Sequence, residues 1–194
     1  MTKQNQTRQK MVASAMKLQR MRGVSGTAFS DVIKASGAPR GSIYYHFPGG
    51  RSELSAAATE YGVEWIGNRL DDLLAKGDPI AAFDGFIETW KEIVRDEDYL
   101  AGCAVAAGAL DPEPVSESRA AAREGFRTWE KKLADALTAA GSDPSSAASL
   151  ALTLISGIEG ALILVRAEED MRPLDLVAGR LRRLLELELN AARS

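Results

Sequence analysis

The chain has 194 residues, of which 45% are hydrophobic and 26% charged, a composition that is ordinary for a folded globular protein. Its single cysteine, Cys103, excludes an internal disulfide framework and suits a reducing compartment. The polar start MTKQNQTRQK lacks the apolar stretch of a secretion signal, so we expect a cytoplasmic protein.

The net charge of −3 is distributed unevenly along the chain. Residues 1–54 contain nine lysines and arginines and two acidic residues, which leaves this part at +7 and the remainder at −10. Such asymmetry favours a basic module that meets a polyanion, attached to a body that does not. The alternative is a basic tail that only improves solubility. The basic residues are interleaved with apolar residues at helical spacing, and this pattern favours the folded module.

Apolar residues recur at helical spacing almost throughout, and no stretch shows the alternation of a β-strand, so the sequence predicts an all-α protein. We expect Thr27 to cap the second helix, and Asp78 to cap the fifth with Pro79 in its first turn. Gly37 and Pro48-Gly49-Gly50 are expected breaks. The predicted helices cover residues 7–21, 28–35, 39–46, 51–76, 80–95, 100–110, 116–140, 145–168 and 173–192.

The most apolar segment, residues 149–165, resembles a membrane span in composition. It runs for only 17 residues, carries Glu159 near its centre and contains two glycines. Membrane spans usually need about 20 apolar residues, and a carboxylate inside a bilayer is costly. We therefore predict a helix buried against other helices, and no membrane as a partner.

The first three predicted helices have the lengths and spacing of a helix-turn-helix, with the turn at residues 36–38. In that arrangement the third helix enters the major groove of DNA. Arg40 can donate two hydrogen bonds to one guanine, Gly41 allows a close approach of the backbone, and Ser42 can donate to a base or a phosphate. The residues expected to form the small core beneath are Val12, Ala15, Met16, Phe29, Val32, Ile33 and Ile43.

Further residues around this helix carry chemistry that suits DNA. The hydroxyls of Tyr44 and Tyr45 and the ring of His46 can reach phosphates or base edges. Thr27 lies at a helix N-terminus suited to a phosphate, and Arg51 opens the next helix with a positive charge. The alternative for His46 is a capping or packing role. We expect Tyr44 to belong partly to the core, because a tyrosine can bury its ring and expose its hydroxyl.

Residues 37–54, GAPRGSIYYHFPGGRSEL, and the preceding TAFSDVIKASG closely resemble the signature of the TetR family of repressors. The resemblance implies that the third helix reads the major groove and that Phe47 belongs to the core. It also implies phosphate anchors at Thr27 and Arg51. The other DNA contacts that it implies are Tyr44, Tyr45 and His46.

The segment after Phe47 departs from the common family pattern. Many members carry a lysine a few residues after the phenylalanine, whereas here Pro48-Gly49-Gly50 intervenes and Arg51 takes the place of the lysine. This form, together with Gly102-Cys103, resembles the LmrA/YxaF-like subgroup. The resemblance implies a helix-turn-helix domain over residues 1–50 and a helical-bundle domain for ligand binding and dimerisation over residues 51–194.

The second part of the chain carries weaker signals. A ligand cavity in a helical bundle needs an apolar and aromatic lining with a few polar groups. Three tryptophans on three long helices favour such a cavity, although ordinary core packing is the alternative for each residue. Glu159 needs a partner, which could be Arg166, a cationic ligand, a partner subunit or water. The candidate lining residues are Tyr61, Trp65, Phe83, Phe86, Trp90, Cys103, Phe126, Trp129, Ile155 and Glu159.

The last two predicted helices are the expected interface of a homodimer. Residues 149–165 are apolar nearly all round, and Gly157 and Gly160 permit close helix approach. The final helix repeats leucines on one side. Two such pairs, one from each chain, would form a four-helix interface with two-fold symmetry, which predicts a palindromic operator in double-stranded DNA.

The resemblance therefore implies a dimeric repressor that a small-molecule inducer releases from its operator, with the helix beginning at Arg51 as the lever. An activator of the same fold stays open. The weaker alternative is an all-α enzyme or small-molecule-binding protein, since the sequence lacks a Walker loop, a dinucleotide fingerprint and metal-ligand spacing. We expect no cofactor, no metal and no enzymatic activity.

Overall fold

The computed structural model describes residues 3–113 and 116–191, and within these residues it contains nine α-helices and no strand. The predicted all-α fold is confirmed. The helices are α1 Lys3–Arg22, α2 Phe29–Ser36, α3 Ser42–His46, α4 Gly50–Leu74, α5 Pro79–Asp96, α6 Ala104–Ala109, α7 Glu117–Ala139, α8 Pro144–Glu168 and α9 Arg172–Ala191.

These helices form two compact units. The first unit comprises Met1–Trp65 and Cys103–Phe126, and the second comprises Ile66–Gly102 and Arg127–Ser194. Two long helices, α4 and α7, contribute residues to both units.

Local sequence signals set several helix ends as predicted. Asp78 caps α5, because its carboxylate accepts hydrogen bonds from two backbone N–H groups of the first turn at 2.9 and 3.1 Å, with Pro79 at the start of the helix. Asp143 caps α8 in the same way at 3.0 and 3.1 Å. Gly37 ends α2 with φ of 66°, the left-handed conformation that glycine adopts without steric cost.

Two predicted boundaries in the first unit are wrong. The third helix begins at Ser42, later than predicted, because Pro39 lies in the preceding turn. Thr27 does not cap α2, since the N-cap position is Ala28, which makes no side-chain cap bond. Instead Thr27 is buried, and its hydroxyl donates to the carbonyl of Gly23 at 2.9 Å. Thr27 therefore stabilises the loop between α1 and α2.

The first unit has a buried apolar core, to which α1 to α4 and α6 contribute. Phe47, Met11 and Ile43 have no exposed surface. The predicted helix-turn-helix core and the predicted burial of Phe47 are confirmed, while Phe29 and Ile33 pack partly buried at its edge. The other buried members are Val12, Ala15, Met16, Val32, Leu54, Ala57, Ala58 and Ala104.

In the second unit, α8 packs closely against α9. Gly157 permits the approach, since a Cβ atom at this position would lie 2.9 Å from the Leu181 side chain. The prediction that residues 149–165 are buried holds for one face of α8. The opposite face exposes Leu152 and Ile163, whose exposed fractions are 52% and 64%. By length and hydropathy alone, α8 is also a candidate to cross a membrane.

Ion pairs connect α5 to α9 within the second unit. Lys91 Nζ lies 2.9 Å from Asp175, and Arg182 Nε lies 3.0 Å from Asp84. Lys91 also pairs with Glu88 at 2.9 Å. The hydrogen bonds to Asp175 and Glu88 raise the pKa of Lys91 above its ordinary value.

Candidate DNA interface and candidate ligand cavity

The turn between α2 and α3 presents the start of α3 on the surface. The hydroxyl of Ser42 donates to the carbonyl of Pro39 at 2.6 Å, and the backbone N–H of Ser42 donates to the same oxygen at 3.0 Å. Arg40 and Gly41 are exposed beside this turn. A Cβ atom on Gly41 would meet no described atom within 4 Å, so internal packing does not require glycine here. The open space at Gly41 leaves the backbone accessible to an external partner.

Tyr44 and Tyr45 project from α3 with exposed fractions of 69% and 68%. The ring of Tyr44 lies edge-on to Phe29 with centroids 5.6 Å apart, so this tyrosine is supported by the core edge without entering the core. The hydroxyl of Tyr45 accepts a hydrogen bond from Gln4 Nε2 at 2.7 Å, and its ring meets His46 edge-on at 5.2 Å. Together with the half-buried His46, the two tyrosines form an aromatic surface that carries hydroxyl and imidazole groups.

Arg51 and Thr27, the predicted phosphate anchors, both bind the loop between α1 and α2. The Arg51 guanidinium donates to the carbonyl oxygens of Ser25 at 3.1 Å and Val24 at 3.5 Å. Together with the Thr27–Gly23 bond, these contacts hold the loop that leads into α2. Contact of Thr27 and Arg51 with phosphate stays a prediction. Arg51 is exposed, whereas the side chain of Thr27 is buried.

The two acidic residues of this basic region have local partners. Asp31 lies 2.9 Å from the guanidinium of Arg22, and Glu53 accepts from the backbone N–H of Gly49 at 2.8 Å. Their charges are thus partly offset within the unit, while most basic side chains face solvent. The exposed basic residues are Arg8, Lys10, Lys17, Arg22, Lys34, Arg40 and Arg51.

Gln19 is a residue that sequence reasoning missed. It is fully buried, and its Nε2 donates to Thr59 Oγ1 at 2.7 Å and to the carbonyl of Ala104 at 3.1 Å. These bonds join α1 to α4 and α6. The available signal was the position of Gln19, which follows Ala15 and Met16 at helical spacing on the buried face of α1.

The second unit contains a cavity lined by α4, α5, α7, α8 and α9. Six predicted ligand-binding residues line it: Phe83, Phe86, Trp90, Trp129, Ile155 and Glu159. The rings of Phe86 and Trp90 meet edge-on with centroids 6.3 Å apart. The lining is otherwise aliphatic or aromatic, and Glu159 carries its one formal charge.

Four other predicted ligand-binding residues belong to the first unit and do not line this cavity, namely Tyr61, Trp65, Cys103 and Phe126. Tyr61 packs at the edge of the first unit's core, and Trp65 is 38% exposed. Cys103 is buried at the N-cap of α6, where its Sγ accepts from the N–H of Ala106 at 3.5 Å. The prediction selected them for their apolar or aromatic side chains. Tyr61 and Trp65 lie on the part of α4, and Phe126 on the part of α7, that belongs to the first unit.

Comparison with known proteins identifies the family. Residues 12–58 match the family described as bacterial regulatory proteins, tetR family, and residues 79–180 match the transcriptional regulator LmrA/YxaF-like, C-terminal domain. The chain belongs to the TetR family. It is therefore a helix-turn-helix transcriptional regulator with an LmrA/YxaF-like C-terminal domain, and it is not an enzyme. The predicted family and subgroup are confirmed.

Individual relatives match over most of the chain. An uncharacterized HTH-type transcriptional regulator of Mycobacterium tuberculosis is 38% identical over 188 residues, which are 94% of this chain and 95% of the relative. The HTH-type transcriptional regulator LmrA of Bacillus subtilis is 30% identical, over 87% of this chain and 90% of its own. A TetR transcriptional regulator from Chloroflexus aurantiacus has a crystal structure with a TM-score of 0.77 and 27% identity, covering 96% of this chain and 97% of its own.

Proposed function

We propose that this TetR-family regulator is a dimeric, cytoplasmic repressor whose operator binding is released by a small molecule. The observation that carries the proposal is the contrast within the chain. A basic first unit presents Arg40, Tyr44 and Tyr45 on its outside, whereas the second unit contains an apolar cavity.

In the proposed complex, α3 lies in the major groove. Arg40 reads a guanine through O6 and N7, while Gly41 and Ser42 bring the backbone close to the DNA. Tyr44, Tyr45 and His46 contact phosphates or base edges, and these contacts fix the register of the protein on the duplex. Arg51 adds a positive charge beside the loop between α1 and α2. That loop and Thr27 contact the adjacent phosphate through the backbone at the start of α2.

The proposed dimer buries the outer faces of α8 and α9. Large apolar side chains are exposed along both helices, and a contiguous exposed apolar surface is typical of a protein interface. Gly160 also lies on this surface, where a Cβ atom would meet no described atom within 4 Å, so a second copy has room to approach closely. The exposed apolar side chains are Leu152, Ile163, Leu164, Leu176, Leu184 and Leu187.

A charged substitution on this surface tests whether α8 and α9 form the dimer interface. Ile163→Asp places a carboxylate in the proposed interface and should yield monomers in sedimentation velocity at micromolar concentration. Leu110→Asp is the matched control, because Leu110 is 77% exposed in the first unit. We expect this control to sediment as the wild type does. A dimer that survives Ile163→Asp with unchanged affinity would contradict the proposed interface.

Release follows from a population shift. A molecule that binds the cavity more tightly in one conformation favours that conformation, by no more than its difference in affinity for the two states. Because α4 carries residues of both units, a change in its position alters the spacing of the two recognition helices in the dimer. DNA binding and ligand binding then oppose each other reciprocally.

The DNA that flanks the gene for this protein tests the proposal. DNase I footprinting should show an inverted repeat whose half-site centres are separated by about 10 base pairs or a multiple of that spacing. A reporter gene behind this DNA should be expressed more strongly when the regulator is deleted. Weaker expression after deletion would favour the activator, and the absence of protection on any inverted repeat would contradict the proposed function.

A further inference from the structure

We infer that the cavity of the second unit binds an apolar molecule that carries a hydrogen-bond acceptor and no negative charge. The inference rests on the proposed function for the existence of a ligand, and it specifies the chemistry of that ligand. It depends on two lining residues, Trp90 and Glu159, which lie on α5 and α8.

Trp90 supplies the requirement for an acceptor. Its side chain lines the cavity with 4% of its surface exposed, and its Nε1–H is buried without a hydrogen-bond partner among the described residues. Buried donors are nearly always satisfied in native proteins, so such a group calls for an explanation. The indole N–H is a donor only. A ligand can therefore satisfy Trp90 only through an acceptor such as a ketone, ether or ester oxygen.

Glu159 supplies the restriction on charge. It is half-buried at the cavity wall, and the lining contains no lysine, arginine or histidine. A bound anion would lie close to this carboxylate, in a lining that carries no basic side chain. Low polarity strengthens this repulsion relative to water. Uncharged molecules avoid the repulsion, and the surrounding aliphatic and aromatic side chains favour an apolar body.

Three naphthalenes of nearly the same shape test both requirements. 2-Acetylnaphthalene carries a ketone, 2-isopropenylnaphthalene replaces its oxygen with carbon, and 2-naphthoate carries a carboxylate. Dissociation constants are measured by isothermal titration calorimetry on the full chain. We expect the ketone to bind about 5- to 10-fold more tightly than the alkene, the ratio expected for one additional hydrogen bond. We expect naphthoate to bind at least about 10-fold more weakly than the ketone.

Variants assign these differences to the two residues. Trp90→Phe removes the N–H and should reduce the preference for the ketone over the alkene about 5- to 10-fold. Trp129→Phe is the matched control, since it removes an indole from the same cavity and should affect ketone and alkene equally. Glu159→Gln removes the charge and should raise naphthoate affinity relative to ketone affinity about 10-fold. Retained alkene binding reports that a variant is folded.

Equal binding of ketone and alkene to the wild type would overturn the acceptor requirement, and equal binding of ketone and naphthoate would overturn the charge requirement. If none of the probes binds while the operator is still protected, this inference fails and the DNA part of the proposed function stands. If the probes bind in the expected order but operator affinity does not change, the inference stands and ligand-released repression fails.

Discussion

In the first unit, Phe47, Met11 and Ile43 are fully buried in one apolar core. In the second unit, by contrast, Phe83, Trp90 and Trp129 line a cavity. A close-packed core resists deformation and transmits displacement. It therefore suits a unit that must hold α3 in a fixed orientation. An apolar bundle that is incompletely filled can change its packing when a molecule enters. We infer that the first unit is the more rigid part of the chain and the second unit the more adaptable part.

Positive charge is concentrated in residues 1–54, all of which belong to the first unit. Residues 1–54 carry +7 and the remainder −10, and the two acidic residues of the basic part have partners within the first unit. The surface around α3 consequently attracts a polyanion, while the acidic remainder does not. The proposed binding of DNA by the first unit and of an uncharged molecule by the second unit therefore involves different types of interaction.

Truncation of a phenylalanine in each unit should give the largest effect and sharpen the comparison. Phe47→Ala truncates a side chain that has no exposed surface and leaves a void, so we expect a loss of about 3–5 kcal/mol in the free energy of unfolding. Phe83→Ala enlarges an existing cavity whose walls can relax, and we expect a smaller loss. Urea denaturation of both variants measures the difference. Equal losses would contradict the contrast in packing.

Arg40→Ala should weaken operator binding by about 1–3 kcal/mol per half-site, because it removes the exposed side chain that we propose reads a guanine. Fluorescence anisotropy with the footprinted DNA measures this loss. Arg127→Ala, which removes an exposed arginine from the second unit, is the control and should bind as the wild type does. An Arg40→Ala protein with wild-type affinity would show that Arg40 does not read the DNA.

Asp78→Ala should have the smallest effect. It removes the two cap hydrogen bonds at the start of α5, and substitution of a helix N-cap by alanine costs about 1 kcal/mol. Because α5 lines the cavity and not the DNA surface, operator affinity without ligand should be unchanged. Thermal unfolding and anisotropy together test this, and a loss of operator affinity would argue against the separation of the two units.

Sequence reasoning predicted the parts of the molecule that depend on local patterns. Helical periodicity located the helices, and residue chemistry at the turns located the Gly37 turn and the Asp78 cap. Part of the first unit's core was also predictable, because Val12, Ala15 and Met16 recur at helical spacing, whereas the burial of Phe47 was implied by the family resemblance. These features require few long-range contacts.

Features that depend on tertiary packing were not predictable from spacing. Thr27 has the residue type and the position expected of an N-cap. Its hydroxyl instead donates to the Gly23 carbonyl, because the α1–α2 loop folds back on itself. Trp65 shares α4 with cavity residues and yet lies outside the cavity, since α4 is divided between the units. The buried bonds of Gln19 arise only when α4 and α6 pack against α1.

The central claim is that the basic first unit binds DNA. The most direct test of this claim is the salt dependence of operator binding. If the dimer neutralises six to ten phosphates, affinity should fall by roughly 10³- to 10⁵-fold between about 50 and 200 mM salt, with log affinity linear in log salt concentration. Anisotropy on the footprinted DNA, with a scrambled duplex as the reference for non-specific binding, provides this measurement. Operator affinity that does not change with salt, in protein that stays folded throughout, would contradict the account.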